Sequence, residues 1–132
     1  MRPRSMRARP SFALTLSALM LTACGIGPEQ PIGSFPSPDG AWTLDVTFAE
    51  SNYPQGPWHV LAYLVPRDAS GRTPILDTTL ANDGIAFSDD NVAVRWVSSR
   101  QALICLRATD LPDRGLRVEL GEPPRVIGVP HC

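Results

Sequence analysis

Lysine is absent from this 132-residue chain, so all twelve basic residues are arginines, set against thirteen acidic residues. Histidine is scarce as well, with only His59 and His131, and no Gly-x-Ser-x-Gly motif occurs. A nucleophilic hydrolase needs a nucleophile with a base beside it, and the sequence offers no such set. His59 lies inside a predicted strand, where a structural role is favoured. We therefore predict that the protein is not an enzyme and uses neither a cofactor nor a metal ion.

The chain also lacks an apolar run long enough to cross a bilayer. Residues 12–21 are apolar apart from Thr15 and Ser17, whereas a transmembrane helix needs about 20 apolar residues. The stretch before this run is basic, and no acidic residue precedes Glu29. The basic residues there are Arg2, Arg4, Arg7 and Arg9. A basic start followed by a short apolar core is typical of a cleaved signal peptide, which we assign to residues 1–23.

The sequence Leu21-Thr22-Ala23-Cys24 closes this segment and resembles the lipobox of bacterial lipoproteins. The resemblance implies cleavage before Cys24 and lipid, including palmitate, on that cysteine; an ordinary secretory signal with a free Cys24 thiol is the alternative. Each buried methylene contributes about 0.8 kcal/mol, so two or three acyl chains would hold the protein on a membrane. Gly25 follows the cysteine, and the usual sorting rule then implies the outer membrane, facing the periplasm, in a bacterium with two membranes.

Cleavage would leave a mature chain with eight arginines and thirteen acidic residues, a net charge of −5. An acidic domain is repelled by nucleic acids and by anionic membrane surfaces. We therefore expect no nucleic-acid partner. The predicted partners are the membrane, through the lipid on Cys24, and a protein of the cell envelope.

Two cysteines remain for structural use, Cys105 and Cys132. In an oxidising compartment they are predicted to form a disulfide, which closes a loop of about 28 residues and adds about 3 to 4 kcal/mol of stability in the chain-entropy model. Two free thiols are the alternative, with Cys105 a buried strand residue. A zinc site that combines both with His59 and His131 is disfavoured, because no pair of these residues has a metal-ligand spacing.

Proline and glycine are frequent in residues 24–37, which we interpret as the lipidated cysteine followed by a short tether that cannot hold a helix or a central strand. Residues 38–132 are predicted to be a single domain. Apolar and polar residues alternate there in short runs, which is typical of half-buried strands. The predicted strands are residues 42–48, 58–65, 75–80, 92–97, 101–107, 116–120 and 126–129. The fold class is therefore all-β: a small antiparallel sandwich, meander or barrel.

The sequence Ser37-Pro38-Asp39-Gly40-Ala41-Trp42 resembles the turn that precedes a blade strand in TolB-like and WD40-like β-propellers. The chain has no second copy of it, and a propeller needs at least four blades of about 40 residues. The resemblance therefore implies a tight turn before a strand and excludes a propeller made from one copy of this chain.

The segment from Asn52 to His59 is the candidate contact surface, with Tyr53, Gln55, Trp58 and His59 as its binding residues. Aromatic side chains beside stiffening prolines recognise partners at a low entropic cost. The alternative is that Tyr53 and Trp58 only cover the end of the sheet. We expect a lipid-anchored interaction module. The alternatives are a small envelope enzyme acting on glycan or lipid, which requires paired carboxylates in a cleft, and a structural spacer.

A cluster of acidic and amide residues lies in adjacent predicted turns, and it could surround a calcium ion. The residues are Asn82, Asp83, Asp89, Asp90 and Asn91. Their spacing does not match the EF-hand loop. A turn-forming role is therefore favoured.

Overall fold

The computed structural model of the protein describes residues 25–132, which form two four-stranded antiparallel sheets. Sheet 1 has the order β1-β2-β3-β4, and its strands are Gln30–Pro36, Trp42–Ala49, Trp58–Pro66 and Thr73–Leu80. Sheet 2 has the order β5-β6-β7-β8, and its strands are Val92–Ser98, Gln101–Leu106, Arg114–Glu119 and Arg125–Val129. A 3-10 turn, Asp89–Asn91, leads into β5. The signal peptide and the lipid site at Cys24 lie outside the described residues.

The all-β prediction is confirmed, and the fold is a sandwich of two meanders. Each sheet ends in an edge strand on both sides, so no closed barrel forms within the described part of the chain. β1 lies against β5 and β4 lies against β8, which stacks the two sheets in the same order. Within residues 25–132, no helix has the length and apolarity to cross a membrane.

The core lies between the sheets and is built mainly from alternate residues of the central strands, with one residue each from the edge strands β4 and β5. Every second side chain of a strand points to the same face, so period-two apolar residues bury together. The buried core residues are Leu44, Val46, Val60, Ala62, Leu64 and Leu80 from sheet 1, and Val92, Ala102, Ile104, Leu106 and Val118 from sheet 2. Across this core, the Trp96 indole Nε1 donates a 2.9 Å hydrogen bond to the Phe35 carbonyl and joins β5 to β1. Strands with this pattern could be predicted because the pattern is local.

The outer face of β3 is apolar as well, and the start of the chain covers it. Leu61 and Tyr63 are buried there beside Ala49, and Ile26 packs on them. Ile26 forms an antiparallel bridge with Ser51. The first described residues therefore belong to the folded domain.

The tether predicted for residues 24–37 is corrected by this arrangement. Residues 30–36 form β1, an edge strand, in which Ile32 and Phe35 pack on the core. Proline is tolerated on an edge and at a bulge, since no central ladder hydrogen bond is lost there. The register shift of the β1–β2 pair falls between Pro31 and Gly33. The composition of this segment excluded a central strand but not an edge strand.

The turn before β2 is held by Ser37, which is buried although it is polar. Its hydroxyl donates to the Asp39 carboxylate at 2.7 Å and accepts the Trp42 N–H at 3.1 Å. Asp39 also accepts the Ala41 N–H, and Gly40 takes φ +68°, a left-handed conformation that suits glycine. The Ser37 hydrogen bond, followed by the Ala41 N–H, lowers the pKa of Asp39. The strand predicted after this turn is confirmed as β2.

The two ends of the sandwich carry different loops. At one end, here called the Ile26 end, lie Ile26 with loop 50–57, segment 81–91 and loop 107–113. At the opposite end, here called the Trp42 end, lie turn 37–41, loop 67–72, turn 99–100 and segment 121–124. The eight-residue strand β2 runs between them, a length of about 25 Å.

Candidate functional site

The predicted contact segment forms part of a recess at the Ile26 end, here called the loop pocket. Its volume is about 300 Å³. It is lined by residues 50–56, Trp58 and Asn82. Two hydrogen bonds shape the loop pocket. The Gly56 N–H donates to the Tyr53 carbonyl at 3.0 Å, and the Asn82 side-chain amide donates to the Gly56 carbonyl at 3.1 Å. A side chain at Gly56 would collide with Ser51, so the tight loop requires glycine there.

Three of the four predicted binding residues, Tyr53, Gln55 and Trp58, line the loop pocket, and His59 does not. Tyr53 is 73% exposed and Gln55 is exposed with φ +59°, so both project from the loop. Trp58 contributes to the pocket wall but packs edge-on against Phe87, with ring centroids 5.6 Å apart. His59 lies in β3, and its Nδ1 is 3.5 Å from the Asp77 carboxylate, too far for a good hydrogen bond. For Trp58, covering the end of the sheet is the role that its contacts support.

A second recess, here called the end cleft, opens between the sheets at the Trp42 end. Its volume is about 390 Å³. The lining residues are Trp42, Leu64, Thr73, Arg100, Leu120, Gly121, Glu122, Pro123 and Pro124. Apolar side chains dominate this set, and two charges of opposite sign stand among them. Such a mixture can hold an apolar group and orient its polar neighbours.

Sheet pairing builds the end cleft from distant parts of the chain. The Arg100 guanidinium donates to the Leu120 carbonyl at 3.1 Å, and the Leu120 N–H donates to the Arg100 carbonyl at 2.9 Å. These bonds bring segment 121–124 beside the β5–β6 turn. The sequence did not predict this cleft, because Arg100 and Pro123 lie between predicted strands, 23 positions apart. Only their long-range pairing makes them neighbours.

A network of hydrogen bonds and an ion pair surrounds Glu29 on the outer face of sheet 1. Its carboxylate accepts the Tyr63 hydroxyl at 2.7 Å and the Thr47 hydroxyl at 2.8 Å. Arg72 lies 3.7 Å from the carboxylate and also 3.7 Å above the Tyr63 ring centroid. The Tyr63 hydrogen bond is the main cause that lowers the pKa of Glu29, and the same bond raises the pKa of Tyr63. Sequence reasoning missed this network because Glu29 was assigned to the tether.

Cys105 and Cys132 are neighbours in the structure. Cys105 is buried on β6 and faces Gly115 of β7 across the ladder. The C-terminal tail crosses Gly115, where an added Cβ would lie 2.7 Å from the His131 carbonyl oxygen. Burial, followed by the hydrogen bond with Cys132, raises the pKa of Cys105 to about 11. The tail thus reaches Cys105 as the sequence suggested, and the disulfide itself stays a prediction.

The disfavoured zinc site combined residues from opposite sides of the molecule. His59 lies on the outer side of sheet 1, beside Asp77, whereas Cys105 lies on the outer side of sheet 2. Within residues 25–132, no three His, Cys, Asp or Glu side chains are grouped so that they could hold a metal ion.

The acidic turn residues stabilise backbone rather than gather in one place. The Asp83 carboxylate accepts the Ile85 N–H at 3.0 Å and a hydrogen bond from Thr109, and these bonds lower its pKa, with Thr109 the larger cause. The Asn91 side chain accepts the Ser88 N–H at 2.8 Å and donates to the Arg107 carbonyl at 2.8 Å. This is the turn-forming role that the sequence favoured.

Comparison with known proteins returned no relative: no family model matches the chain, and neither does a curated protein or a solved structure.

Proposed function

We propose that this protein is a lipid-anchored module of the cell envelope that binds another macromolecule through its end cleft. The observation that carries the proposal is the composition of that cleft. Trp42 and Leu120 offer apolar surface above the buried Leu64, while Arg100 and Glu122 supply charges of opposite sign beside it. An apolar pocket with a few convergent polar groups is the usual form of a binding site.

The position of the cleft supports the same reading. Ile26 is bridged to Ser51 at one end of the sandwich, so a lipid on Cys24 would attach at that end. The cleft opens at the Trp42 end, about 25 Å away along β2. An anchored domain would therefore present the cleft away from its own membrane. Anchoring would also raise the local concentration of the module near envelope partners.

The partner that fits is a protein segment with one apolar side chain and flanking charges. The apolar residue would contact Trp42 and Leu120, and its neighbours would pair with Arg100 and Glu122. The mature chain has a net charge of −5, which disfavours nucleic acid as the partner.

The enzyme alternative requires two carboxylates that face each other across a cleft. Among the described residues, Glu50 is the carboxylate that lines the loop pocket, and Glu122 is the one that lines the end cleft. No specific observation therefore favours a glycan or lipid hydrolase over the interaction module. That the protein is not an enzyme stays a prediction.

Site-specific photo-crosslinking in cells tests the proposal. A photoreactive residue at Glu122 should give a discrete protein adduct, and the same probe at Asp110, at the Ile26 end, should not. Glu122→Arg should abolish the adduct formed from a probe at Thr73, whereas the matched charge reversal Asp110→Arg should leave it intact. Equal adducts from both positions, or an adduct unaffected by Glu122→Arg, would contradict binding through the end cleft.

A further inference from the structure

We infer that the Ile26 end of the sandwich lies against the lipid bilayer and contacts it through Tyr53, Ile85 and Leu111. This inference depends on the lipid anchor at Cys24 proposed above. It adds a second membrane contact, made by the folded domain itself, and thereby a fixed orientation of the domain on the membrane.

The chain between the predicted anchor and the folded domain is short. The Gly27 N–H donates to the Glu50 carbonyl at 2.7 Å, and Ile26 bridges Ser51 while it packs on Leu61. Cys24 is two residues before Ile26, and an extended residue spans at most about 3.6 Å. The lipidated residue therefore lies within about 7 Å of Ile26. A domain attached so closely is unable to turn its Ile26 end away from the bilayer.

Three exposed apolar side chains lie in the loops at the Ile26 end. Tyr53, Ile85 and Leu111 are 73%, 60% and 55% exposed and come from three separate loops. All three loops lie at the Ile26 end. Two of these loops approach each other, because Thr109 lies close enough to the Asp83 carboxylate to lower its pKa. Tyrosine is a side chain that favours the membrane–water interface, since its ring is apolar and its hydroxyl is polar.

The negative charge of the Ile26 end determines which lipid headgroups it can contact. The carboxylates at the Ile26 end are Glu50, Asp83, Asp89, Asp90, Asp110 and Asp113. Two arginines offset them there, and both have partners: Arg107 lies 3.4 Å from Asp113, and Arg114 donates to the Thr79 carbonyl at 2.6 Å. An anionic surface repels such an end. The surface that fits is one of zwitterionic headgroups, such as phosphatidylethanolamine.

Three partly exposed side chains give only a weak contact, so the domain needs its anchor to stay at the surface. Once anchored, the loops face the bilayer at a high effective concentration, and the weak contact forms. The protein without lipid should therefore not bind vesicles.

Hydrogen–deuterium exchange of the full-length protein on vesicles tests the inference. The lipidated wild type and an unlipidated Cys24→Ser variant produced without residues 1–23 are each mixed with vesicles of phosphatidylethanolamine and phosphatidylcholine. We expect exchange in loop 50–57, segment 81–88 and loop 107–113 to be several-fold slower in the lipidated protein. Turn 37–41 and loop 67–72, at the Trp42 end, should exchange equally in both. Replacing half of the lipid by phosphatidylglycerol should reduce the protection.

Two variants make the test specific. Insertion of about ten Gly/Ser residues after Gly25 adds a flexible span of about 17 Å and should abolish the protection while the protein stays lipidated. Ile85→Ser should weaken the protection of loop 107–113, whereas Val97→Ser should not. Val97 is also 55% exposed but lies on β5 at the Trp42 end, which makes it the matched control.

Three outcomes would overturn the inference while the anchor stands. The first is a lipidated, vesicle-bound protein whose loops exchange as fast as those of Cys24→Ser. The second is protection that rises with protein density on the vesicle, which would assign the surface to a second copy. The third is protection only in native envelope membranes, which would assign it to a protein partner. An unmodified Cys24, seen by mass spectrometry together with loss from floated vesicles, would instead refute the anchor itself.

Discussion

The hydroxyl of Tyr63 donates a 2.7 Å hydrogen bond to the carboxylate of Glu29, which lies 34 residues earlier in the chain. Glu29 precedes β1, and Tyr63 projects from the outer face of β3. The bond therefore fixes the start of the folded chain to the middle of sheet 1. It also explains why a segment rich in proline and glycine is ordered next to the predicted anchor.

Tyr63→Phe should lower the free energy of unfolding by about 1 kcal/mol at pH 7, because a hydrogen bond to a charged acceptor is lost at a site where Glu29 is 31% exposed. The pKa of Glu29 is lowered in the folded state from an ordinary value of 4.5, mainly by Tyr63. A lowered carboxyl pKa contributes stability above the unfolded pKa, and that stability is lost as the pH falls through the folded pKa. The difference between wild type and Tyr63→Phe should therefore shrink below about pH 4.5.

Urea unfolding at several pH values measures this. Tyr53→Phe is the control, since Tyr53 is exposed, and it should be neutral throughout. A Tyr63→Phe deficit that is constant from pH 7 to pH 3 would contradict the assignment of the stability to Glu29.

Ser37→Ala should destabilise the domain by about 1 to 2 kcal/mol, because the Trp42 N–H loses the hydroxyl of a buried serine as its acceptor. Thermal unfolding measures the change. Ser34→Ala is the matched control: the Ser34 hydroxyl donates to Asp45 at an exposed position, and its loss should cost less. Equal losses of stability in the two variants would show that the buried Ser37 hydroxyl stabilises the domain no more than the exposed Ser34 hydroxyl does.

Gly115→Ala should displace the C-terminal tail, because the new methyl group would lie 2.7 Å from both the His131 carbonyl oxygen and the Val129 Cγ2. We expect a loss of about 1 to 3 kcal/mol, as for overpacking in a filled site. Gly128→Ala, one strand away on β8, has no atom within 4 Å of its new methyl group and should be close to neutral. If Gly115→Ala unfolds at the same urea concentration as Gly128→Ala, the tail does not cross β7 in solution.

The Cys105–Cys132 disulfide should be present in protein purified from an oxidising compartment. Labelling with a thiol reagent under denaturing, non-reducing conditions should modify neither cysteine, and reduction should then lower stability by about 2 to 4 kcal/mol. After reduction, native protein at pH 8 should react at Cys132 and not at Cys105, whose pKa is raised to about 11 and whose side chain is buried. Modification of both cysteines before reduction would rule out the bridge.

Cys24→Ala should leave an uncleaved or soluble precursor, because the acyl chains supply nearly all of the membrane affinity. Metabolic labelling with a palmitate analogue should mark the wild type and not the variant. Undiminished label in Cys24→Ala would show that Cys24 is not the lipidated residue.

Several strands could be predicted from the sequence alone. Trp42, Leu44 and Val46 alternate with polar residues, and their burial alternates in the structure as well. The β5–β6 hairpin could be predicted as well, and so could β4, which Pro74 restricts to an edge. These predictions succeeded because the direction of a strand side chain follows from its position in the chain, whatever the strand pairs with. The turn at Ser37 is local for the same reason, since its hydrogen bonds span at most five residues.

Tertiary structure decided what the chain's local composition left open. β1 became a strand because Leu61 and Tyr63 leave an apolar outer face that the preceding segment covers, and an edge position tolerates its prolines. The end cleft exists because Arg100 pairs with Leu120, and Cys132 reaches Cys105 because Gly115 leaves room for the tail. Arg100 and Leu120 are 20 positions apart in the chain, and Cys105 and Cys132 are 27 apart. The free energy that selects them comes from packing and hydrogen bonds that form only when both sheets are in place, so no short stretch of sequence encodes them.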